Sequence, residues 1–236
     1  SKPTIEFEDL TYNFVTDFEK FLYESGYQTN TVAKHMKHLK SFVNAAINKG
    51  YIDPNNYAFR RYKIKMKEGK HVFLLPEEMK KLEEVSLTGR NSCLEHTLDA
   101  FLFCCYTGLR YSDFVSLNEK NIVKMDGKLW LIFDSVKTGT EVKLPLNLLF
   151  EGKALTLLQK YQGKWSSFFS IKNNSSVNKE LIRIGKLAKI SKHFSFHSAR
   201  HTNATLLIYK GANITTVQKL LGHKNLATTQ IYGEVM

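Results

Sequence analysis

Residue types suited to phosphate chemistry recur at short spacing in the C-terminal half of this chain. An arginine fork can hold phosphate oxygens, imidazole and ammonium groups can move protons, and a phenol can act as a nucleophile. Together these groups predict a metal-free phosphoryl transfer, so we expect no cofactor. The set consists of two arginines, two histidines, a lysine and a tyrosine: Arg110, Lys137, His197, Arg200, His223 and Tyr232.

The order and local context of these residues resemble those of the tyrosine recombinases, also called phage-type integrases. The first arginine stands in the string TGLRYSD, the second in HSARH, and the second histidine in LLGH. LLGH is the most specific of these strings, while a lone His-x-x-Arg is common in unrelated proteins. The resemblance covers the C-terminal two-thirds of the chain.

The resemblance implies a role for each residue of the set. Arg110 and Arg200 would clamp the phosphate, and Lys137, at a hairpin tip, would protonate the departing 5′ oxygen. Tyr232 would attack and leave a 3′-phosphotyrosyl link. His197 would be a proton acceptor or a phosphate ligand, and His223 a further donor to the phosphate. Outside the set, Asp113 is either a carboxylate that holds Arg110 or an acid favoured by a helix N-terminus, and His201 is either a ligand or, as we favour, a structural hydrogen-bonder.

Other kinds of site fit the sequence less well. His197 and His201 have the i, i+4 spacing of a zincin helix, but the glutamate that should follow the first histidine is absent. Acidic residues are too sparse near this cluster for a two-metal nuclease. The remaining alternatives are a type IB topoisomerase, which shares the chemistry, and a non-catalytic DNA-binding regulator, which would not need Tyr232.

Composition favours an anionic partner. The 236 residues carry a formal net charge of +12, which is typical of proteins that bind phosphate backbones, and we expect double-stranded DNA as the partner. The 43% hydrophobic content is that of a globular protein. Three cysteines without disulfide or zinc spacing fit a reducing cytoplasm, and no apolar run is long enough to span a membrane. The resemblance then implies a bacterial cytoplasmic, nucleoid-associated protein.

Apolar periodicity predicts a mainly α fold with one small antiparallel sheet, in two domains that the resemblance implies form a clamp on DNA. We expect a helical DNA-binding domain over residues 1–66, a basic linker over 67–73 and a catalytic domain over 74–236. Helices are predicted over 7–24, from a Thr29-Asn30 cap onward, over 93–106, after a Ser112 cap, and over 178–188, 198–211, 215–221 and 227–232. Three strands are predicted over 121–124, 129–133 and 141–144.

Two basic features of the N-terminal region predict DNA contacts. The second helix has a polar side that is either solvated or laid in a DNA groove, and an alternating basic run follows it. The expected contacts are Lys34, Lys37, Ser41, Asn44, Arg60, Arg61, Lys63 and Lys65.

The resemblance also implies a biological setting. We expect an integrase of a mobile element that works as a homotetramer on synapsed DNA, with accessory DNA-bending proteins as further partners. Members of the family continue past the tyrosine with a helix that docks on a neighbouring subunit. Four residues follow Tyr232 here, so we expect a trimmed chain or a different mode of subunit exchange.

Overall fold

The computed structural model describes residues 4–69 and 71–233. The chain divides into two compact units, residues 1–70 and 71–236. The helices are α1 Tyr12–Glu24, α2 Thr29–Asn48, α3 Pro76–Glu84, α4 Glu95–Thr107, α5 Tyr111–Ser116, α6 Lys153–Lys160, α7 Trp165–Phe169, α8 Asn174–Leu187, α9 Ser198–Tyr209, α10 Ile214–Leu221 and α11 Ala227–Gln230. The strands are β1 Ile122–Met125, β2 Lys128–Asp134 and β3 Glu141–Pro145. The predicted mainly α fold with a small sheet is therefore confirmed.

The first unit is built from α1 and α2, whose apolar stripes meet in a core that includes Val15, Val32 and Met36. The helix predicted over 7–24 is wrong in its first part. A short 3-10 turn comes first, and Thr11 then caps α1 by accepting a hydrogen bond from the Phe14 amide at 3.3 Å. This cap fixes the start of α1, because its side chain satisfies an amide that has no partner within the helix.

The predicted Thr29-Asn30 cap of α2 is also wrong, since Gln28 occupies the N-cap position without a side-chain hydrogen bond. Asn30 instead binds the backbone of Lys67 twice, donating to its carbonyl and accepting from its amide, each at 2.9 Å. This pair ties the extended basic segment, residues 63–69, to the start of α2. Lys70, within the expected linker, lies outside the described residues.

The core of the second unit surrounds α4, which is buried along nearly its whole length. Such a helix is apolar on all sides because other elements cover every face, here including α9, α6 and α8. The predicted helix over 93–106 begins at Glu95 instead, after a 3-10 segment, and the predicted start of α8 at residue 178 is late, because Asn173 caps it.

The three strands form one antiparallel sheet in the order β1-β2-β3. Asp126 and Gly127 make the first turn with φ of 48° and 74°, as a two-residue hairpin of this type requires. The second turn, between β2 and β3, spans residues 135–140 and carries Lys137. Within the described ranges, no helix is long and apolar enough to cross a membrane.

Candidate active site

Gly108 ends α4 at the point where this helix lies against α9 and α10. Its φ is +74°, a left-handed conformation that glycine adopts without strain. A Cβ atom at this position would lie 2.6 Å from Leu221 Cδ2 and 2.8 Å from Asn203 Oδ1. The backbone at the end of α4 can therefore approach α9 and α10 only because residue 108 has no side chain.

Arg200 lies in the first turn of α9 and is held at this junction. Its guanidinium donates to the carbonyl of Gly108 at 2.8 Å and to the carbonyl of Leu221, the last residue of α10. The residue is only 4% exposed. Burial, followed by the charge of Arg110, lowers the pKa of Arg200 to about 10, so the side chain still carries its positive charge at neutral pH. The backbone thus fixes the orientation of this guanidinium before any ligand binds.

Arg110 occupies the N-cap position of α5, where the sequence predicted a Ser112 cap, so that prediction is wrong. The Arg110 side chain donates to Ser135 Oγ at 3.1 Å and lies 3.5 Å from the Asp113 carboxylate. Asp113 is 1% exposed and also accepts from the Val136 amide at 2.9 Å. The carboxylate therefore connects the arginine to the start of the β2–β3 turn.

Lys137 projects from this turn and is exposed. The turn is closed by hydrogen bonds from the amides of Thr138 and Gly139 to the Ser135 carbonyl, at 3.2 and 2.7 Å. Lys143, the other lysine of the hairpin, lies within β3 and is 2.9 Å from Glu141. Of the two lysines, Lys137 is the one that the hairpin presents at its tip.

Three histidines lie beside one another in this unit. His197 stands at the N-cap position of α9, and its ring meets that of His201 edge-on at 4.7 Å between centroids. Burial lowers the pKa of His197, and the charges of Arg200, Arg110 and Lys137 lower it further. His71 lies on another side of His201, also at 4.7 Å between centroids. Burial, then His197 and His71, lower the pKa of His201 to about 4.

His223 follows Gly222, the left-handed residue that ends α10. Its amide bonds the Gln218 carbonyl at 3.0 Å, and its Nδ1 is 2.8 Å from Thr229 Oγ1. Burial, then the charges of Arg200 and Arg110, lower the pKa of His223 to about 4. The imidazole is therefore neutral near pH 7.

Tyr232 lies just past α11, which ends at Gln230 and not at residue 232 as predicted. The side chain is 4% exposed and packs among Ala204, Val217 and Leu221. Its hydroxyl is 2.9 Å from His201 Nδ1. Burial raises the pKa of Tyr232, although the charges of Arg200 and Arg110 act in the opposite direction. The phenol is therefore protonated in the free protein.

The six residues predicted as catalytic belong to one charged neighbourhood. Arg110 and Arg200 influence the pKa values of His197, His223 and Tyr232, and Lys137 influences that of His197. Sequence analysis missed His71 and Ser135. His71 ends a run of basic residues and Ser135 stands in an ordinary turn, so no sequence pattern indicated that either residue belongs to the site.

The predicted DNA contacts of the first unit are all exposed. Lys34, Lys37, Ser41 and Asn44 lie three, four and three positions apart on α2, which places them along one side of the helix. Lys37 Nζ is 2.9 Å from the sulfur of Met66. In the following segment Arg60, Arg61, Lys63 and Lys65 are exposed, while Tyr62 and Ile64 pack on the core.

The site offers charge and hydrogen bonding for an anion. Within residues 4–69 and 71–233, no group of three or more His, Cys, Asp or Glu side chains has an arrangement that could hold a metal ion. Two guanidinium groups, the imidazoles of His197, His201 and His223, and a buried phenol lie around the junction of α4, α9 and α10. This arrangement fits a phosphodiester that is attacked by the phenol.

Comparison with known proteins gives the class of this chain. The Phage integrase family model matches residues 72–236, and the Phage integrase SAM-like domain matches residues 1–65. A tyrosine recombinase XerC from Bacillus licheniformis is 30% identical over 251 residues, covering 97% of this chain and 78% of the relative. One from Oceanobacillus iheyensis is 30% identical and covers 96% and 77%. The chain belongs to the phage integrase family, the tyrosine recombinases.

Solved structures have the same fold. A lambda integrase dimer bound to a COC′ core site superposes with a TM-score of 0.79 at 20% identity, covering 98% of this chain and 82% of that one. The XerH site-specific recombinase bound to difH superposes with a TM-score of 0.72 at 20% identity, covering 96% and 68%. The solved structures show the fold; it is the family model and the XerC relatives that support a DNA strand transferase and do not favour the topoisomerase or the non-catalytic regulator.

Proposed function

We infer that this chain is a site-specific DNA recombinase that cleaves and rejoins strands through a 3′-phosphotyrosyl intermediate. The observation that carries this function is the placement of Tyr232, buried and hydrogen-bonded to His201 beside two arginines. A phenol held in a dry pocket next to two fixed positive charges is a nucleophile prepared for a phosphate. A tyrosine with a purely structural role would not need the two arginines.

The residues divide the reaction among them. Arg110 and Arg200 hold the non-bridging oxygens, and His223 donates or accepts a further hydrogen bond. Tyr232 Oη attacks phosphorus while Lys137 gives a proton to the departing 5′ oxygen. His197 either accepts the phenol proton or binds the phosphate. The phosphotyrosyl bond keeps the energy of the broken phosphodiester, so neither ATP nor metal is required.

DNA would contact both units. We assign residues 1–66 to a DNA-binding domain, 67–73 to a linker and 74–236 to the catalytic domain. Lys34, Lys37 and the basic segment contact phosphates, which supplies affinity for any sequence, and Asn44 reads a base edge. Related complexes include a lambda integrase tetramer bound to a Holliday junction. We propose a homotetramer on synapsed DNA at the bacterial nucleoid, with accessory DNA-bending proteins.

A pool of nicked duplexes with random sequence around the nick tests this function. After incubation with a chelator and without ATP, denaturation with detergent removes every DNA molecule that is not covalently bound. We expect denaturation-resistant complexes whose DNA converges on one sequence. A type IB topoisomerase would yield complexes with little sequence preference and would relax any supercoiled plasmid. Failure to recover any such complex contradicts the proposed function.

A further inference from the structure

The hydroxyl of Tyr232 is already paired with a histidine. Among the described residues, its hydrogen-bond partner is Nδ1 of His201, at 2.9 Å. His197, which was expected either to accept the proton or to bind the phosphate, contacts the ring of His201 edge-on. His71 packs on His201 and its ring lies 6.4 Å from the Tyr232 ring. The hydroxyl of Tyr232 therefore lies within hydrogen-bond distance of an imidazole nitrogen before DNA binds.

The environment of His201 makes this atom an acceptor. His71, His197, Arg200 and His223 face the imidazole with actual or potential positive charge, Tyr232 faces it with a hydroxyl, and burial disfavours its protonation further. The ring is consequently neutral near pH 7. The phenol is protonated as well, and in the tautomer that carries the imidazole proton on Nε2 its O–H donates to Nδ1.

A bound phosphodiester would change this balance. It brings one negative charge beside Arg200, which together with the neighbouring histidines suppresses protonation of His201. Opposite charges close by favour the protonated imidazole, and they disfavour a second anion at the phenolate. Proton transfer from Tyr232 to His201 is therefore coupled to the arrival and attack of the phosphate, and the nucleophile stays inactive without DNA.

We propose that His201 is a catalytic residue that accepts the proton of Tyr232 when the phenol attacks DNA. The Oη–P bond forms, the Oη proton moves to Nδ1, the bond from phosphorus to the 5′ oxygen breaks, and that oxygen takes a proton from Lys137. The Oη proton stays on the enzyme at Nδ1, so the enzyme loses one proton in total, the one that Lys137 gives to the leaving 5′-hydroxyl. Religation reverses each transfer. This role rests on the proposed function.

His71 acts through His201 as a positioning residue. It is an exposed residue of the second unit, and its ring limits how far the His201 ring can turn away from Tyr232. It also contributes to keeping His201 neutral. Loss of this ring should raise the proton affinity of His201 without removing the hydrogen bond to Tyr232.

Single-turnover adduct formation on the enriched duplex tests the proposal. His201→Asn keeps an acceptor near the Nδ1 position but cannot take a proton. We expect it to slow adduct formation by roughly 10²–10⁴-fold, with duplex affinity and Tm retained. In His201→Ala, added imidazoles should restore the rate in proportion to their base strength. His193→Asn, an exposed histidine near the start of α9, is the matched control and should match wild type.

Several outcomes overturn the proposal. A His201→Asn rate close to wild type would leave His201 as a structural hydrogen-bonder, and rescue of His197→Ala instead would assign the proton to His197. If His201→Asn does not fold, His71→Asn provides the test, because the acid limb of the rate profile should move to higher pH. If the acid limb of the pH–rate profile does not move in His71→Asn, His201 is not the proton acceptor. Absence of any wild-type adduct would instead refute the proposed function itself.

Discussion

The two arginines of the site are held in different ways, and this difference governs what each contributes. Arg200 is 4% exposed and bonded to two backbone carbonyls at the ends of α4 and α10. Arg110 is more accessible and donates to Ser135 beside the Asp113 carboxylate. We therefore expect Arg200 to support the fold as well as the proposed phosphate contact, and Arg110 to act mainly in the phosphate contact.

Replacing each arginine by alanine should separate these contributions. Both changes should slow adduct formation by roughly 10²–10³-fold, the scale for losing one fixed donor to transition-state charge. Arg200→Ala should also cost about 2 kcal/mol or more of unfolding free energy, because the carbonyls of Gly108 and Leu221 lose their partner. Single-turnover kinetics and urea unfolding measure the two effects. Equal stability of the two variants would contradict a structural role for Arg200.

The elements position the site through a few close contacts. Gly108 lets α4 end against α9 and α10, and its carbonyl faces Arg200. The β2–β3 turn is tied to α5 through Asp113, so the lysine hairpin and the first arginine share one anchor. Both contacts connect residues far apart in the chain.

Gly108→Ala should destabilise the second unit more than the same change at Gly127. Both glycines have φ of +74°, so each alanine adds about 1–2 kcal/mol of left-handed strain. Only the Cβ at position 108 meets Leu221 and Asn203, while nothing lies within 4 Å of the one at 127. Thermal unfolding of both variants measures the two losses of stability. Equal losses would show that the contact of the added Cβ with Leu221 and Asn203 does not destabilise the protein.

Lys137→Ala should slow cleavage of a normal phosphodiester and leave cleavage of a 5′-bridging phosphorothiolate nearly as fast as in wild type. A thiolate leaves without protonation, so the general acid becomes dispensable. Lys143→Ala, on the same hairpin but paired with Glu141, is the control and should be slow on neither substrate. Persisting slowness of Lys137→Ala on the phosphorothiolate would remove this lysine from the acid role.

Sequence alone predicted the fold class and the residues of the charged neighbourhood, because periodicity and short motifs are local properties. It failed where tertiary contacts decide. Asn30 was predicted to be a helix cap but binds Lys67, and Arg110 occupies the N-cap position that was assigned to Ser112. A hydrogen bond was expected of His201, but the sequence could not show that its partner is a tyrosine 31 positions away.

At the scale of the whole molecule, a charge of +12 predicts DNA affinity that depends on salt. Neutralising Lys34 and Lys37 should weaken binding to all sequences and reduce the slope of log K against log salt by about 0.9 per lost phosphate contact. Lys80, an exposed lysine on α3, is the control. Titrations at several salt concentrations measure the slope, and unchanged slopes would show that this side of α2 faces solvent.

Asn44→Ala should affect sequence preference more than overall affinity. A side-chain amide recognises adenine through two hydrogen bonds, worth ~1–3 kcal/mol of discrimination. We expect the variant to lose its preference at one position when the random duplex pool is selected again. Unchanged preference at every position would exclude base recognition by this residue.

The most direct measurement identifies the residue that carries the DNA. Wild-type protein is allowed to react with the enriched nicked duplex, and the peptide that retains the nucleotide after proteolysis is sequenced. The phosphate should lie on Tyr232, and Tyr232→Phe should form no adduct while binding the duplex as wild type does. Tyr209→Phe, which alters an exposed tyrosine, should react normally. An adduct on any other residue, or one formed by Tyr232→Phe, would contradict Tyr232 as the nucleophile.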